Sequence, residues 1–243
     1  MYRARLACSA ADVRVAQALR WLAFRGQRVE PGDSGLDADE HDRVCQHVLV
    51  EDIRSGAPVC TFRLLPIAGQ DGLRRSYSAR YYDLSALEGF RGPMLEMGRF
   101  CLHPARHDPD ILRIAWGMLT RHVDQGRIEM LFGCTSFAGT DEGVYLDAFA
   151  LLKERYTAPE RWAPKGKATQ RFRFAHALPN RRADRRLAML EMPPLLRTYL
   201  AMGGWVSDHA VVDRDLQTLH VFTALEIGRI PPARARSLRM VAG

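Results

Sequence analysis

The sequence predicts a mixed α/β protein, a sheet flanked by helices, and three observations carry that reading. Helical and strand-like patterns succeed one another along the chain in the order helix, hairpin, strand, helix, strand, helix, strand. The turn Ser55-Gly56-Ala57-Pro58 separates two strand-like segments as an antiparallel hairpin does. A length of 243 residues with 47% hydrophobic content supplies apolar material for a substantial core. The simplest organisation is one domain spanning the whole chain, with a basic, proline-containing insertion at about 157–197.

Ser9 followed by Asp12 has the form of a capping box, and Val15, Leu19 and Leu22 recur at helical spacing, so a helix is expected over 10–24. A turn-rich acidic loop over 30–44 precedes the strand residues Val48-Leu49-Val50 and, beyond the turn, Val59 to Leu65. Met94 to Leu102 reads as a further strand. Asp108 as N-cap with Pro109 at the first helical position begins a helix whose Ile111, Ile114, Ala115, Met118 and His122 share a face and which ends near Gly126. A short strand at 128–134, a loop rich in Ser, Gly and Thr, a helix at about 144–152 and a strand at 218–227 complete the reading, with no internal repeat.

No apolar run approaches the ~20 residues of a membrane-spanning helix and no signal core follows the N-terminus, so a cytoplasmic protein is expected. Five dispersed cysteines without a C-x-x-C pair suit reduced thiols rather than a disulfide framework. The net charge of +7 favours polyanionic partners: an acidic carrier protein, an anionic membrane surface or nucleic acid. No nucleic-acid motif accompanies the arginines, so nucleic acid is not expected as a partner.

Glu96 lies in Leu95-Glu96-Met97-Gly98-Arg99-Phe100-Cys101, among residues that would bury it, and a desolvated carboxylate is a better proton acceptor near neutral pH. Arg99 is its obvious partner, yet residues three apart face opposite sides of a regular strand, so Gly98 is expected to mark a bulge. Backbone N–H groups exposed there suit a developing oxyanion. Arg63 on the hairpin fits either a solvent-facing charge or a buried carboxylate clamp, and Arg20 and Phe24 stand one helical turn apart. Asp39 and Asp42 suit a cationic amine, or only solvation. His103 and His107 have the i, i+4 spacing of metal ligands, but Pro104 disfavours a helix there and no third ligand is apparent, so no metal is expected.

Five ordered blocks together resemble the ornithine-lipid N-acyltransferases of the GNAT superfamily: Cys45 to Val50, Thr61 to Leu65, Leu95 to Pro104, Phe132 to Asp141 and Pro193 to Leu200. The chain is also similar, more distantly, to acyl-homoserine-lactone synthases, whose Arg-x-x-x-Phe helix, paired acidic residues, strand arginine and Glu-x-x-Arg strand correspond here to Arg20 and Phe24, Asp39 and Asp42, Arg63, and Glu96 and Arg99. The resemblance implies a GNAT-like, mainly antiparallel mixed sheet and transfer of a (3-hydroxy) fatty acyl group from acyl carrier protein to the α-amine of ornithine, giving lyso-ornithine lipid. It places Glu96, Gly98 and Arg99 at the reacting centre and Arg20, Phe24, Asp39, Asp42, Arg63, Ser136 and Phe137 around the substrates.

The stretch Leu102 to Pro109 has no glycine with which to cradle a CoA pyrophosphate at a helix start, which suits a carrier-borne phosphopantetheine, with Arg106 as its phosphate contact. No bound cofactor is called for. Glutamine or another amino acid as acceptor, a homoserine-lactone synthase, and a non-catalytic binder of carrier protein or membrane remain alternatives. An anionic membrane surface is a further expected partner, which would make the cytoplasmic protein peripheral on the inner face of the membrane.

Overall fold

The computed structural model describes residues 1–26 and 33–242, so the first part of the acidic loop, residues 30–32, lies outside the described residues. In chain order the elements begin with β1 (Tyr2–Leu6), α1 (Ala10–Arg25), β2 (Gln46–Asp52), β3 (Pro58–Ile67), α2 (Gly69–Arg74), β4 (Tyr82–Asp83), β5 (Met94–Leu102) and α3 (Pro109–Gln125). They continue with β6 (Met130–Ala138), α4 (Leu146–Arg155), β7 (Lys165–Gly166), β8 (Arg171–Phe172), α5 (Phe174–Ala177) and α6 (Arg185–Glu191). The last are α7 (Pro194–Ala201), β9 (Trp205–Asp213), β10 (Thr218–Glu226) and α8 (Pro232–Ala242). The fold is a mixed α/β arrangement with mostly antiparallel strand pairing and flanking helices.

The chain forms two compact units. The first comprises Met1–Pro66, Leu95–Ile128 and Pro232–Gly243, and the second Ile67–Met94 and Glu129–Pro231. In the first, strands lie in the order β1-β2-β3-β5, and β2 and β3 form the expected hairpin. Ser9 caps α1 by accepting the Asp12 N–H at 3.1 Å, and Asp108 caps α3 by accepting the Asp110 N–H at 2.9 Å. Along α3, Ile111, Ala115, Leu119 and Val123 recur every four residues as a buried stripe. Gly117 lets α8 approach: a Cβ there would stand 2.9 Å from the Val241 side chain and carbonyl.

The second unit orders its strands β6-β10-β9-β8 and pairs β4 with β7. Its core gathers Phe137, Phe149, Phe174, Leu196, Val206, Leu219 and Val221, with Phe149 stacked on Phe174 at 5.2 Å. Within the segment 157–197, left unassigned by its sequence pattern, Phe174, Ala188, Met192 and Leu196 contribute to that core. Strand β6 runs to Ala138 instead of ending at residue 134, because antiparallel register with β10 draws the Ser- and Thr-containing stretch into the ladder, Ser136 opposite His220 and Ala138 opposite Thr218. Helix α4 begins at Leu146, after a single 3-10 turn at Glu142–Tyr145.

Candidate active site

The geometry of the first unit is set by the acidic loop. Its Asp37 N–H donates to the Gln17 carbonyl on α1 at 3.1 Å, which docks the loop. One 3-10 turn, Glu40–Arg43, follows with Asp39 as its N-cap. Asp39 accepts the His41 N–H at 2.9 Å and Asp42 accepts the Asp39 N–H at 3.2 Å, a reciprocal capping box. The D-x-x-D spacing is therefore first of all a turn motif that aims two carboxylates the same way.

Three arginines from three elements meet these carboxylates. Arg20 of α1, fully buried at 0% exposure, donates through Nε to Asp37 Oδ2 (2.9 Å) and through Nη2 to both oxygens of Asp42 (2.9 Å each) and to the Asp37 carbonyl. Arg63 of β3 donates to Asp42 Oδ1 at 2.9 Å and forms a bidentate pair with Asp39, Nη2 to Oδ2 at 3.1 Å. Arg99 of β5 reaches Asp39 Oδ2 at 3.3 Å and lies 3.1 Å from Asp37 Oδ2. Gln17 Nε2 donates to Asp42 at 2.9 Å, and His47 of β2 fills the gap, its Nε2 3.1 Å from the Asp42 carbonyl and its Nδ1 3.4 Å from Arg20. Three positive and three negative charges interleave, and such mutual pairing is the condition under which charge survives burial.

Burial works to raise the Asp42 pKa, but hydrogen bonds from Arg20, Gln17 and Arg63 outweigh it and hold the carboxyl well below its usual range. At Asp39 burial is likewise outweighed by Arg63 and Arg99. Burial lowers the His47 pKa, which favours the neutral imidazole. The two aspartates expected to meet a cationic amine thus spend their oxygens on arginines of the same chain. Asp37, Gln17 and His47, unassigned by sequence, complete the frame; acidic clustering in the loop was the only signal for Asp37.

Glu96 of β5 is 4% exposed. With Arg63, Asp39 and Asp42 it lies close enough to act electrostatically on the Cys45 thiol, which burial above all pushes up to about 11. Arg99 has φ 51, a left-handed conformation uncommon for a bulky side chain, and this breaks the two-residue alternation of β5. The irregular residue is Arg99 rather than Gly98, and the pairings of its guanidinium with Asp37 and Asp39 hold it there. At Gly98 an added Cβ would meet nothing within 4 Å, so no neighbour in the fold demands a glycine. Beside them Phe100 stacks on Phe62 at 5.4 Å. Burial pushes the Cys101 thiol up to about 12, which keeps it protonated and poorly nucleophilic.

The other expected positions are not among the residues paired in this frame. Phe24 is half-buried in the last turn of α1, and Arg106 is exposed in the turn after β5, where its N–H donates to the His103 carbonyl at 2.9 Å. Ser136 and Phe137, in the second unit, point to opposite faces of β6 because strand side chains alternate. Phe137 is buried against Tyr145 and Phe149, so its side chain serves the core, while Ser136 is exposed. Among the described residues no group of three or more His, Cys, Asp or Glu side chains could hold a metal ion.

A frame of this kind, beside a broken strand carrying a buried carboxylate, is accompanied by clear relationships to known proteins. Residues 19–117, which include Arg20, the acidic loop, Arg63, Glu96 and Arg99, match the family model described as an acetyltransferase (GNAT) domain. Two solved structures share the fold. FeeM, an N-acyl amino acid synthase from uncultured soil microbes, aligns over 100% of this chain and 97% of its own with TM-score 0.51 and 11% identity. Apo TofI aligns over 99% of each chain with TM-score 0.53 and 12% identity.

The chain is 32% identical over 235 residues to the L-ornithine N(alpha)-acyltransferase of Rhodobacter capsulatus, covering 93% of this chain and 90% of that protein. It is 30% identical over 239 residues to the Brucella abortus enzyme of the same name, covering 93% and 84%. The protein is an N-acyltransferase on the GNAT fold. It belongs to the L-ornithine N(alpha)-acyltransferase family.

Proposed function

We propose that this enzyme transfers a fatty acyl group from an acyl carrier protein thioester to the α-amine of ornithine. The acceptor rests on one observation above the rest: relatives matched along nearly the whole chain at 30% identity or more carry that activity in their names. Glu96 takes the proton of the α-ammonium group, directly or through one water, and the free amine adds to the thioester carbonyl. Backbone N–H groups at Gly98 and Arg99 stabilise the oxyanion, and as the adduct collapses its nitrogen gives up its remaining extra proton, which passes to the departing thiolate so that it leaves as the thiol. The open approach to Gly98 supports a substrate atom passing close to the backbone there.

The arginine and aspartate frame acts by position. It fixes Arg99 in its left-handed conformation and so sets the direction of the neighbouring N–H groups. For the donor, the start of α3 supports a carrier-borne arm over CoA. Asp108 already places its carboxylate on the Asp110 N–H at the start of that helix, and it also accepts from the Tyr2 hydroxyl at 3.0 Å, so a pyrophosphate there would meet like charge. The acyl group is a (3-hydroxy) fatty chain, by likeness to the ornithine-lipid enzymes.

Purified protein incubated with an acyl carrier thioester or the matching acyl-CoA, and with ornithine, glutamine or S-adenosylmethionine, tests the reading by mass spectrometry. N-acylornithine from the carrier thioester is expected as the main product. Acylglutamine or a lactone would overturn the acceptor, and equal use of acyl-CoA would overturn the donor.

A further inference from the structure

In the second unit, α6 is a short helix with an unusual outer face. Asp184 starts it by accepting the N–H groups of Arg186 (2.9 Å) and Leu187 (3.2 Å). Ala188 and, just past the helix, Met192 are buried in the core, and Glu191 accepts the Ala148 N–H of α4 at 3.0 Å, so one side of the helix is fixed inward. At about 3.6 residues per turn Arg186 and Leu190 lie opposite Ala188, with Leu187 and Met189 on its two flanks. Leu190 is 72% exposed, Leu187 46% and Met189 45%. The neighbouring 3-10 turn at Glu142–Tyr145, which packs against α6, adds the exposed Val144.

The carboxylates around this apolar crest are partly engaged: Asp184 caps α6 and Glu191 accepts from α4, which leaves Glu142 on the neighbouring turn. Arg181 is engaged by Asp147 at 2.9 Å, whereas Arg182, Arg185 and Arg186 are exposed and have no carboxylate partner among the described residues. The four-arginine run of the sequence is therefore one structural anchor and three available cations. Apolar side chains that project from a basic collar match a surface whose headgroups are anionic and whose interior is hydrocarbon.

We propose that this face of α6 docks the enzyme on an anionic lipid bilayer, with Leu187, Met189 and Leu190 entering the headgroup boundary and Arg182, Arg185 and Arg186 lying against lipid phosphates. The docking rests on α6 alone and not on the acyl-transfer reading, so vesicle binding tests it without any turnover.

Full-length protein is sedimented with phosphatidylcholine vesicles with and without phosphatidylglycerol, at low and high salt. Binding only to the phosphatidylglycerol vesicles, weakened by salt, is expected. Arg185→Gln with Arg186→Gln should weaken it roughly twenty- to thirtyfold, at about fivefold per arginine near the surface. Leu187→Gln with Leu190→Gln should abolish salt-resistant residual binding. All four positions are exposed, and an unchanged circular dichroism spectrum and unchanged turnover with soluble substrates would show the variants intact. Wild-type protein that ignores phosphatidylglycerol vesicles, or intact variants that bind them as wild type does, would overturn the proposal. So would unchanged vesicle binding accompanied by a raised KM for the carrier thioester, which would assign the arginines to the carrier protein.

Discussion

The two units solve burial in opposite ways. The first encloses three arginines and three aspartates around Arg20, Arg63 and Arg99, while the second closes on Phe137, Phe149, Phe174 and aliphatic neighbours. An apolar core gains from being taken out of water at every contact. Buried ion pairs at best recover what their desolvation costs, and apolar replacements are often as stable. Three buried charges, Arg20, Asp37 and Arg63, and three half-buried ones, Asp39, Asp42 and Arg99, stand beside a left-handed backbone that stability alone would not have chosen, and the acyl transfer proposed above is assigned to that unit.

The largest effects should come from breaking either device. Asp42→Asn leaves Arg20 and Arg63 short of a counter-charge, and Phe149→Ala opens a cavity in the aromatic stack; each should cost about 3–5 kcal/mol in denaturant titrations. The devices differ in repair. Repacking the aromatic core with apolar residues of equal volume should restore both stability and turnover. An apolar substitute for the Arg63, Asp39 and Asp42 cluster should restore stability without turnover, and an active enzyme with that cluster replaced would break the distinction.

Acid should separate the units next. Burial, with a contribution from the charge of His209, drives the His220 pKa down to about 3. An unfolded histidine takes up its proton near about 6.5, so the unfolded state binds more protons between these values and stability falls as pH drops through that window. The loss is on the order of a few kcal/mol. In the first unit Asp39 and Asp42 are displaced the other way relative to their charge: their depressed pKa values give stability present above about 4 and lost below it. Burial lowers His47 and His122 there too, without a displacement the size of that at His220. Hydrogen exchange on acidification should therefore rise first in β9 and β10, and His220→Phe should delay it. Earlier exchange in β2 and β3 would reverse the comparison.

A smaller effect is expected at Gly98. An alanine there meets no neighbour, so Gly98→Ala should change stability by less than about 0.5 kcal/mol while lowering kcat/KM roughly tenfold, because the methyl group occupies the approach to the backbone. Wild-type kinetics for this variant would remove the close approach from the account.

Much of this was legible in the sequence where local chemistry dictates structure. Ser9 and Asp108 mark helix starts, the Ser55–Pro58 turn marks the hairpin, and the spacing around Glu96 and Gly98 marks an irregular strand. What was hidden depends on distant pairing. Strand β1 is a short arginine-alternating segment that becomes a strand only through register with β2, and Thr135 to Ala138 read as a loop until β10 is laid beside it. The aspartates were visible as an acidic pair, but their partners come from Arg20, Arg63 and Arg99 on three separate elements. Only the fold shows that their charges are already answered.

Glu96 of the same unit is proposed to take the proton from the attacking amine. That proton transfer is tested most directly by the initial rate of N-acylornithine formation by Glu96→Gln, measured from neutral to alkaline pH with saturating donor. A rate about 10²–10⁴-fold below wild type at neutral pH is predicted, with partial recovery as the amine loses its proton to solvent at higher pH. A near-wild-type rate at neutral pH, with the same pH dependence as the unaltered enzyme, would contradict it.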